Sequence, residues 1–184
     1  FNFFKIPLPK YNIRASSNKL GIFFSKTICG IEKILYKEKP DFLIVQGDTN
    51  TALAGCFAAS IYNRKHLNYH KKIKIVHVEA GLRSFDNKMP EEINRKIIDQ
   101  LSDILFPPTQ FDLDNLKNEK LILNKKVLTV GNTISDIIKK NTPLIKKNNI
   151  LKKFKILKKC YFLVTLHRPE SVDNPKKLNK LILD

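Results

Sequence analysis

The sequence predicts an α/β protein built on a parallel sheet, and three observations predict it. Short continuous apolar runs, such as Phe42-Leu-Ile-Val45 and residues 73–78, have the pattern of strands covered on both faces. Stretches with helical spacing separate them, so strand and helix alternate. Polar residues also gather just past the apolar runs. Asp48, Glu79 and His167 each sit where a strand gives out, at the edge of a parallel sheet where ligands bind.

Each element follows in order. Leu20, Phe24, Ile28, Ile31 and Leu35 fall at helical spacing, and Lys39-Pro40 ends that helix. Residues 42–45 form the first strand, and Gly47-Asp48-Thr49 turns the chain. Residues 51–62 are rich in Ala and predict a closely packed helix. A polar connection follows, with His66 and His70, to which no role is assigned. The next strand spans 73–78. Pro90 suits the first turn of a helix over 91–101, with Glu91 and Glu92 beside it. Residues 104–106 are a short strand stopped by Pro107-Pro108, and Thr109 caps the helix through Leu113 and Leu116. A strand over 126–130 ends in Gly131-Asn132-Thr133, and 134–140 is helical. A Lys/Asn-rich stretch leads to a strand over 161–166, then to His167-Arg168-Pro169-Glu170 and a helix from Pro175. The expected division is a Rossmann-like domain over 1–140, a linker over 141–159 and the start of a second such domain over 160–184.

Composition narrows the function classes. The net charge of +17 invites a nucleic-acid reading. Almost all of it is Lys, however, and Arg occurs only as Arg14, Arg64, Arg83, Arg95 and Arg168. Base-reading and phosphate-forking surfaces favour Arg. The Lys pairs from 139 to 159 fit solvated helix faces and a linker, so no nucleic-acid partner is expected. No apolar run approaches the roughly 20 residues of a membrane span, and no membrane association or signal peptide is expected. Cys29, Cys56 and Cys160 are far apart and flanked by apolar residues. They predict buried reduced thiols, no zinc site and a cytoplasmic protein. Gly-x-Gly-x-x-Gly, P-loop and Gly-x-Ser-x-Gly motifs are absent from the sequence, which removes the usual support for dehydrogenase, NTPase and serine-hydrolase readings.

The chemistry concentrates in Ile75-Val-His-Val-Glu-Ala-Gly-Leu-Arg-Ser84 and Met89-Pro-Glu-Glu-Ile-Asn-Arg95. Carboxylates brought to one rim of a sheet suit acid/base work, and a salt-bridged loop is the competing reading. Asp48 points into the crevice or caps a helix. His77 shares a strand face with Glu79 and reads as its satisfied polar neighbour. Glu91 and Arg95 lie one helical turn apart and can pair; alternatively Arg95 forks a phosphate.

Taken together, Gly47-Asp-Thr-Asn-Thr51, His77-Val-Glu-Ala-Gly-Leu-Arg83, Pro90-Glu-Glu-Ile-Asn-Arg95, Gly131-Asn-Thr133 and His167-Arg-Pro-Glu-Ser171 resemble the UDP-N-acetylglucosamine 2-epimerase family, in that family's order and spacing. The resemblance is to the non-hydrolysing branch. It implies two Rossmann-like domains in the glycosyltransferase-B architecture, with the chain incomplete at both ends and the second domain truncated. It implies interconversion of UDP-GlcNAc and UDP-ManNAc through 2-acetamidoglucal, in the synthesis of surface polysaccharide or glycan precursors. Asp48, Glu79, Glu91 and His167 map onto catalytic positions, and Arg95, Arg83 and Arg168 onto substrate-binding ones. The resemblance implies a UDP-sugar substrate, no cofactor or metal, and a homodimer when complete; the fragment itself is expected to be inactive. The hydrolysing branch, which releases ManNAc and UDP, and a glycosyltransferase on the same fold are the alternatives.

Overall fold

The computed structural model describes residues 4, 6–65, 72–166 and 169–183. His66, His70, His167 and Arg168 therefore lie outside the described residues. The chain falls into two compact units, residues 1–136 and 137–184.

A parallel sheet organises the first unit. Its strands, β1 (Phe42–Gln46), β2 (Lys74–Val78), β3 (Ile104–Phe106) and β4 (Lys126–Val127), lie side by side in sequence order. Helices α1 (Leu20–Glu38), α2 (Asn50–Lys65), α3 (Pro90–Leu101) and α4 (Gln110–Asn118) alternate with them. The register places Gln46 beside Val78 and Val78 beside Phe106, so three strands finish level. That level edge is where a doubly wound sheet presents ligand-binding groups.

Burial explains why these segments hold together. On one side Leu35, Ala52, Leu53, Cys56, Ala59, Tyr62, Ile73, Ile75 and Ile98 form the main core, with Leu43 and Val45 packed against it. The Ala-rich face of α2 lets the helix lie close to both α1 and α3. A smaller cluster of Ala80, Leu105 and Leu116 closes beneath α4. Thr109 and Asp112 form a reciprocal capping box that starts α4, as expected for Thr109.

The first strand differs from expectation. Phe42 and Ile44 are exposed while Leu43 and Val45 are half-buried, so β1 is covered on one face only. Among the described residues it is an edge strand, and the core helices cover just the side bearing Leu43 and Val45. β2 does match the doubly buried pattern, with Ile75, Val76 and His77 all buried. β4 is shorter than the expected 126–130, although Leu128 and Val130 still donate to the Leu105 and Pro107 carbonyls.

Further along, α5 (Thr133–Lys147) runs well past residue 140, so part of the expected linker is helical. Pro143 lies inside it and has no N–H to give. The Asn141 and Thr142 side chains donate to the Ile137 and Ile138 carbonyls on the turn before it. The second unit continues with α6 (Ile150–Lys153), α7 (Pro169–Val172) and α8 (Pro175–Leu183). Residues 161–166 form no strand, and Phe162 is 98% exposed. Strand geometry needs a bonded neighbour, and none of the described residues supplies one. Cys29 and Cys160 are exposed rather than buried, since one lies on the outer side of α1 and the other in an unpacked stretch; only Cys56 is buried.

Candidate active site

The candidate site grows from two turns on the level edge of the sheet. Gly47 leaves β1 with φ of +69°, a conformation that favours glycine, and donates to the Val78 carbonyl at 3.0 Å. The backbone is thereby tied to β2 just before Asp48. Thr49 Oγ1 accepts from Ala52 N–H at 3.1 Å and caps α2. Capping therefore falls to Thr49, and the Asp48 carboxylate pairs instead with the Arg95 guanidinium. The Asp48 carbonyl accepts from Asn94 Nδ2 at 2.9 Å, which ties the same turn to α3.

Glu79 follows β2 at once and has φ of +73°. A side chain in left-handed backbone costs roughly 1–2 kcal/mol, and such outliers gather at functional sites. The conformation is fixed from the neighbouring strand, because the amides of both Glu79 and Ala80 reach the Phe106 carbonyl at 3.2 and 3.3 Å. Glu79 Oε1 accepts from Gln46 Nε2 at 2.9 Å, and Oε2 packs against Gly47. Asp48 and Glu79 thus flank one glycine turn.

Pro90 opens α3, as expected. Its two acids have opposite fates. Glu91 is exposed, with no hydrogen-bond partner among the described residues. Glu92 is fully buried and accepts from Ser84 N–H at 2.9 Å, Ser84 Oγ at 3.0 Å and Phe85 N–H at 3.3 Å. Burial raises the Glu92 pKa, but the Ser84 hydrogen bonds and Lys96 outweigh it and hold the carboxyl below its ordinary range. Arg95 pairs with Glu92 and Asp48, so the expected pair with Glu91 does not form. Both terminal nitrogens of Arg95 are engaged, while its Nε is buried without a partner among the described residues.

A buried polar layer supports these turns. His77 places Nδ1 2.7 Å from Asp99 Oδ1 and Nε2 2.9 Å from the Gly47 carbonyl. Asp99 Oδ2 accepts from Gly81 N–H at 3.2 Å and from Arg83 Nη1 at 2.8 Å. Arg83 also forks Glu119, at 2.8 and 2.6 Å. Its side chain is completely buried, so in this structure it braces the loop after β2 and presents no donor to a ligand. Burial works against the Arg83 charge, but Glu119 and Asp99 hold its pKa above the ordinary value. Lys125 Nζ donates to the Asp99 and Gln100 carbonyls at the end of α3. Asp99, Asn94 and Gln46 complete the site and were not singled out from sequence. A signal existed for Asp99: Glu92, Arg95 and Asp99 fall three and four residues apart, on one face of α3.

Two carboxylates beside one turn, one meeting a guanidinium and the other an amide, can exchange protons with a ligand at the sheet edge. Glu91 stands one helical turn before Arg95, which links α3 to Asp48. Among the described residues, no group of three or more His, Cys, Asp or Glu side chains is placed to hold a metal ion.

Comparisons with known proteins bear on the family and the fold. The family model for UDP-N-acetylglucosamine 2-epimerase matches residues 1–183. A UDP-N-acetylglucosamine 2-epimerase of Methanococcus maripaludis is 48% identical over 95% of this chain and 46% of its own length. A UDP-2,3-diacetamido-2,3-dideoxy-D-glucuronate 2-epimerase of Pseudomonas aeruginosa is 38% identical over 96% of this chain and 47% of its own. Among solved structures, the UDP-GlcNAc 2-epimerase of Methanocaldococcus jannaschii in complex with UDP-GlcNAc and UDP superposes with a TM-score of 0.83 at 44% identity. That match covers all of this chain and 48% of the other. The chain spans about half the length of the curated relatives it matches.

Proposed function

Because the chain belongs to the UDP-N-acetylglucosamine 2-epimerase family, we propose that it supplies one wall of an epimerase that interconverts UDP-GlcNAc and UDP-ManNAc without net hydrolysis. The observation that carries this reading is the pair Asp48 and Glu79 on either side of the Gly47 turn, with Glu79 held in a costly backbone conformation.

The chemistry demands such a pair. The C2 proton of a pyranose is not adjacent to a carbonyl, so direct abstraction is slow. Departure of UDP with the C1–O bond electrons builds positive charge at C1 and makes the C2 proton removable. One carboxylate takes that proton, leaving 2-acetamidoglucal and UDP. An oxygen of UDP then re-forms the bond to C1 while a second acid delivers a proton to C2 from the opposite face. Two faces require two acid/base groups. Asp48, Glu79 and Glu91 are the candidates on this wall. Cationic groups hold the departing diphosphate, a role we give to His167 and Arg168 and, once its carboxylate partners yield, to Arg95. The domain division at 141–159, a homodimer, a cytoplasmic location and a place in polysaccharide precursor synthesis belong to the same reading. So does inactivity of residues 1–184 alone.

The test uses the protein at its natural full length in D2O. Deuterium should enter C2, and UDP-ManNAc should accumulate from UDP-GlcNAc. Free ManNAc with stoichiometric UDP would instead assign the hydrolysing reaction. The Pseudomonas relative justifies offering a UDP-2,3-diacetamido-glucuronate in parallel. Asp48→Asn, Glu79→Gln and Glu91→Gln should each lower turnover by about 10²-fold or more, the scale of general acid/base effects. Near-normal turnover in all three variants would remove these carboxylates from the mechanism.

A further inference from the structure

We infer that His77 is a positioning residue which donates from both ring nitrogens at once, as an imidazolium, and so locks the turn that carries Asp48. This rests on the reaction proposed above only for its kinetic consequence. The structural part stands by itself.

The ring has two partners. One nitrogen faces a carboxylate oxygen of Asp99, the other the main-chain carbonyl of Gly47, at 2.7 and 2.9 Å. Both are acceptors. A neutral imidazole has one donor and one acceptor nitrogen, so either tautomer would set a lone pair against an oxygen at hydrogen-bond distance. The site is fully buried, and no water can mediate the mismatch cheaply. Asp99 also pairs through its other oxygen with the buried Arg83 guanidinium, an opposite charge that favours the carboxylate form.

Charged groups stand around the ring. The groups facing the ring are Asp99 from α3 and the Gly47 carbonyl. Around Asp99 stand Arg83, with Glu119 just past α4 beyond it, and the Cys56 thiol from α2; Lys125 caps the end of α3. Asp99 and Arg83 form a buried ion pair, and Glu119 beyond them is exposed. An imidazolium at His77 lies directly against the Asp99 carboxylate, and buried charges are tolerated when paired. The consequence reaches the site through Gly47. Its carbonyl is held by His77 and its amide by Val78, so Gly47, which leads into Asp48, is tied on both sides.

Two variants separate positioning from simple structure. In His77→Gln the side chain cannot bridge both acceptors. In Asp99→Asn the new amide donates to Nδ1, the ring becomes the neutral Nε2–H tautomer, and the Gly47 bond survives. Nitrogen-15 spectra of histidine-labelled full-length protein should show a directly bonded hydrogen on both His77 nitrogens, and on Nε2 alone in Asp99→Asn. Turnover per folded enzyme should fall by roughly ten- to 10²-fold in His77→Gln at nearly constant KM, the scale of a displaced catalytic group. A wild-type ring with a single hydrogen overturns the inference without any variant having to fold. Unchanged turnover in His77→Gln, or a loss carried by KM rather than by kcat, overturns the positioning role. A wild-type protein that shows both ring hydrogens but epimerises no UDP-sugar would sink the reaction and leave the ring assignment standing.

Discussion

Exchanging the two neighbouring acids at the start of α3, one at a time, should have very different effects on stability. In Glu92→Gln the amide oxygen can keep the Ser84 contacts on the Oε2 side. Its NH2 then faces Phe85 N–H and the Lys96 ammonium, where Oε1 had accepted. A hydrogen bond to a charged group contributes roughly 1.5–3 kcal/mol, and partly exposed donors can recover water. A loss of about 2 kcal/mol follows, or some 4–8 °C in Tm at the 2–4 °C per kcal/mol usual for this size. Glu91→Gln, which removes no partner among the described residues, should stay within about 0.5 kcal/mol. Thermal and urea unfolding followed by far-UV circular dichroism measures both. The gap between wild type and Glu92→Gln has a definite pH sense. The folded-state pKa of Glu92 is lowered, so its contribution is complete above the unfolded value of about 4.3. It is lost as pH falls below that value and through the folded one. Equal losses for the two variants, or a gap that widens on acidification, would refute the assignment of Glu92 as the loop's anchor.

Other perturbations have equally definite outcomes. Gly81 has φ of +80°, and a Cβ there would meet the Asp112 carbonyl oxygen at 2.2 Å; Gly81→Ala should therefore cost about 2–5 kcal/mol from left-handed strain plus overpacking, read as a fall in the urea midpoint. Burial, reinforced by Asp99, pushes the Cys56 thiol up to about 12, so at pH 8 a thiol reagent should label Cys29 and Cys160 quickly and Cys56 only after unfolding. The +17 charge should give only non-specific nucleic-acid affinity of about 10⁻⁴–10⁻⁶ M at physiological salt, and nanomolar sequence-selective binding in a filter assay would contradict the compositional reading.

The parts of the fold legible in the sequence are those fixed by local chemistry. Pro90 and Thr109 mark helix starts because fixed φ and side-chain capping act within a few residues. The strand at Ile104–Phe106 is bracketed by polar residues and Pro107. What could not be read depends on partners far along the chain. Nothing near Arg83 in sequence says that it will fork Glu119 rather than a ligand, or that Arg95 will prefer Asp48 and Glu92 to Glu91. The exposure of Ile44 depends on whether a further element lies beside β1, which a strand's own composition does not encode. The helix through Pro143 defeats local reasoning in another way, since the ring removes one N–H and the helix still runs on to Lys147.

On the catalytic role proposed for Glu79, its left-handed backbone sets folding against chemistry. Glycine would relieve the roughly 1–2 kcal/mol that a Cβ costs there, for about 0.5–1 kcal/mol of extra chain entropy. Under that proposal the more restful residue is the useless one, and the acid sits there against the local preference of the main chain. Selection for thermal endurance alone would drift towards losing it. A thermostability screen run without an activity readout would enrich sturdy, silent proteins at this site, so a search for robust variants has to hold position 79 fixed.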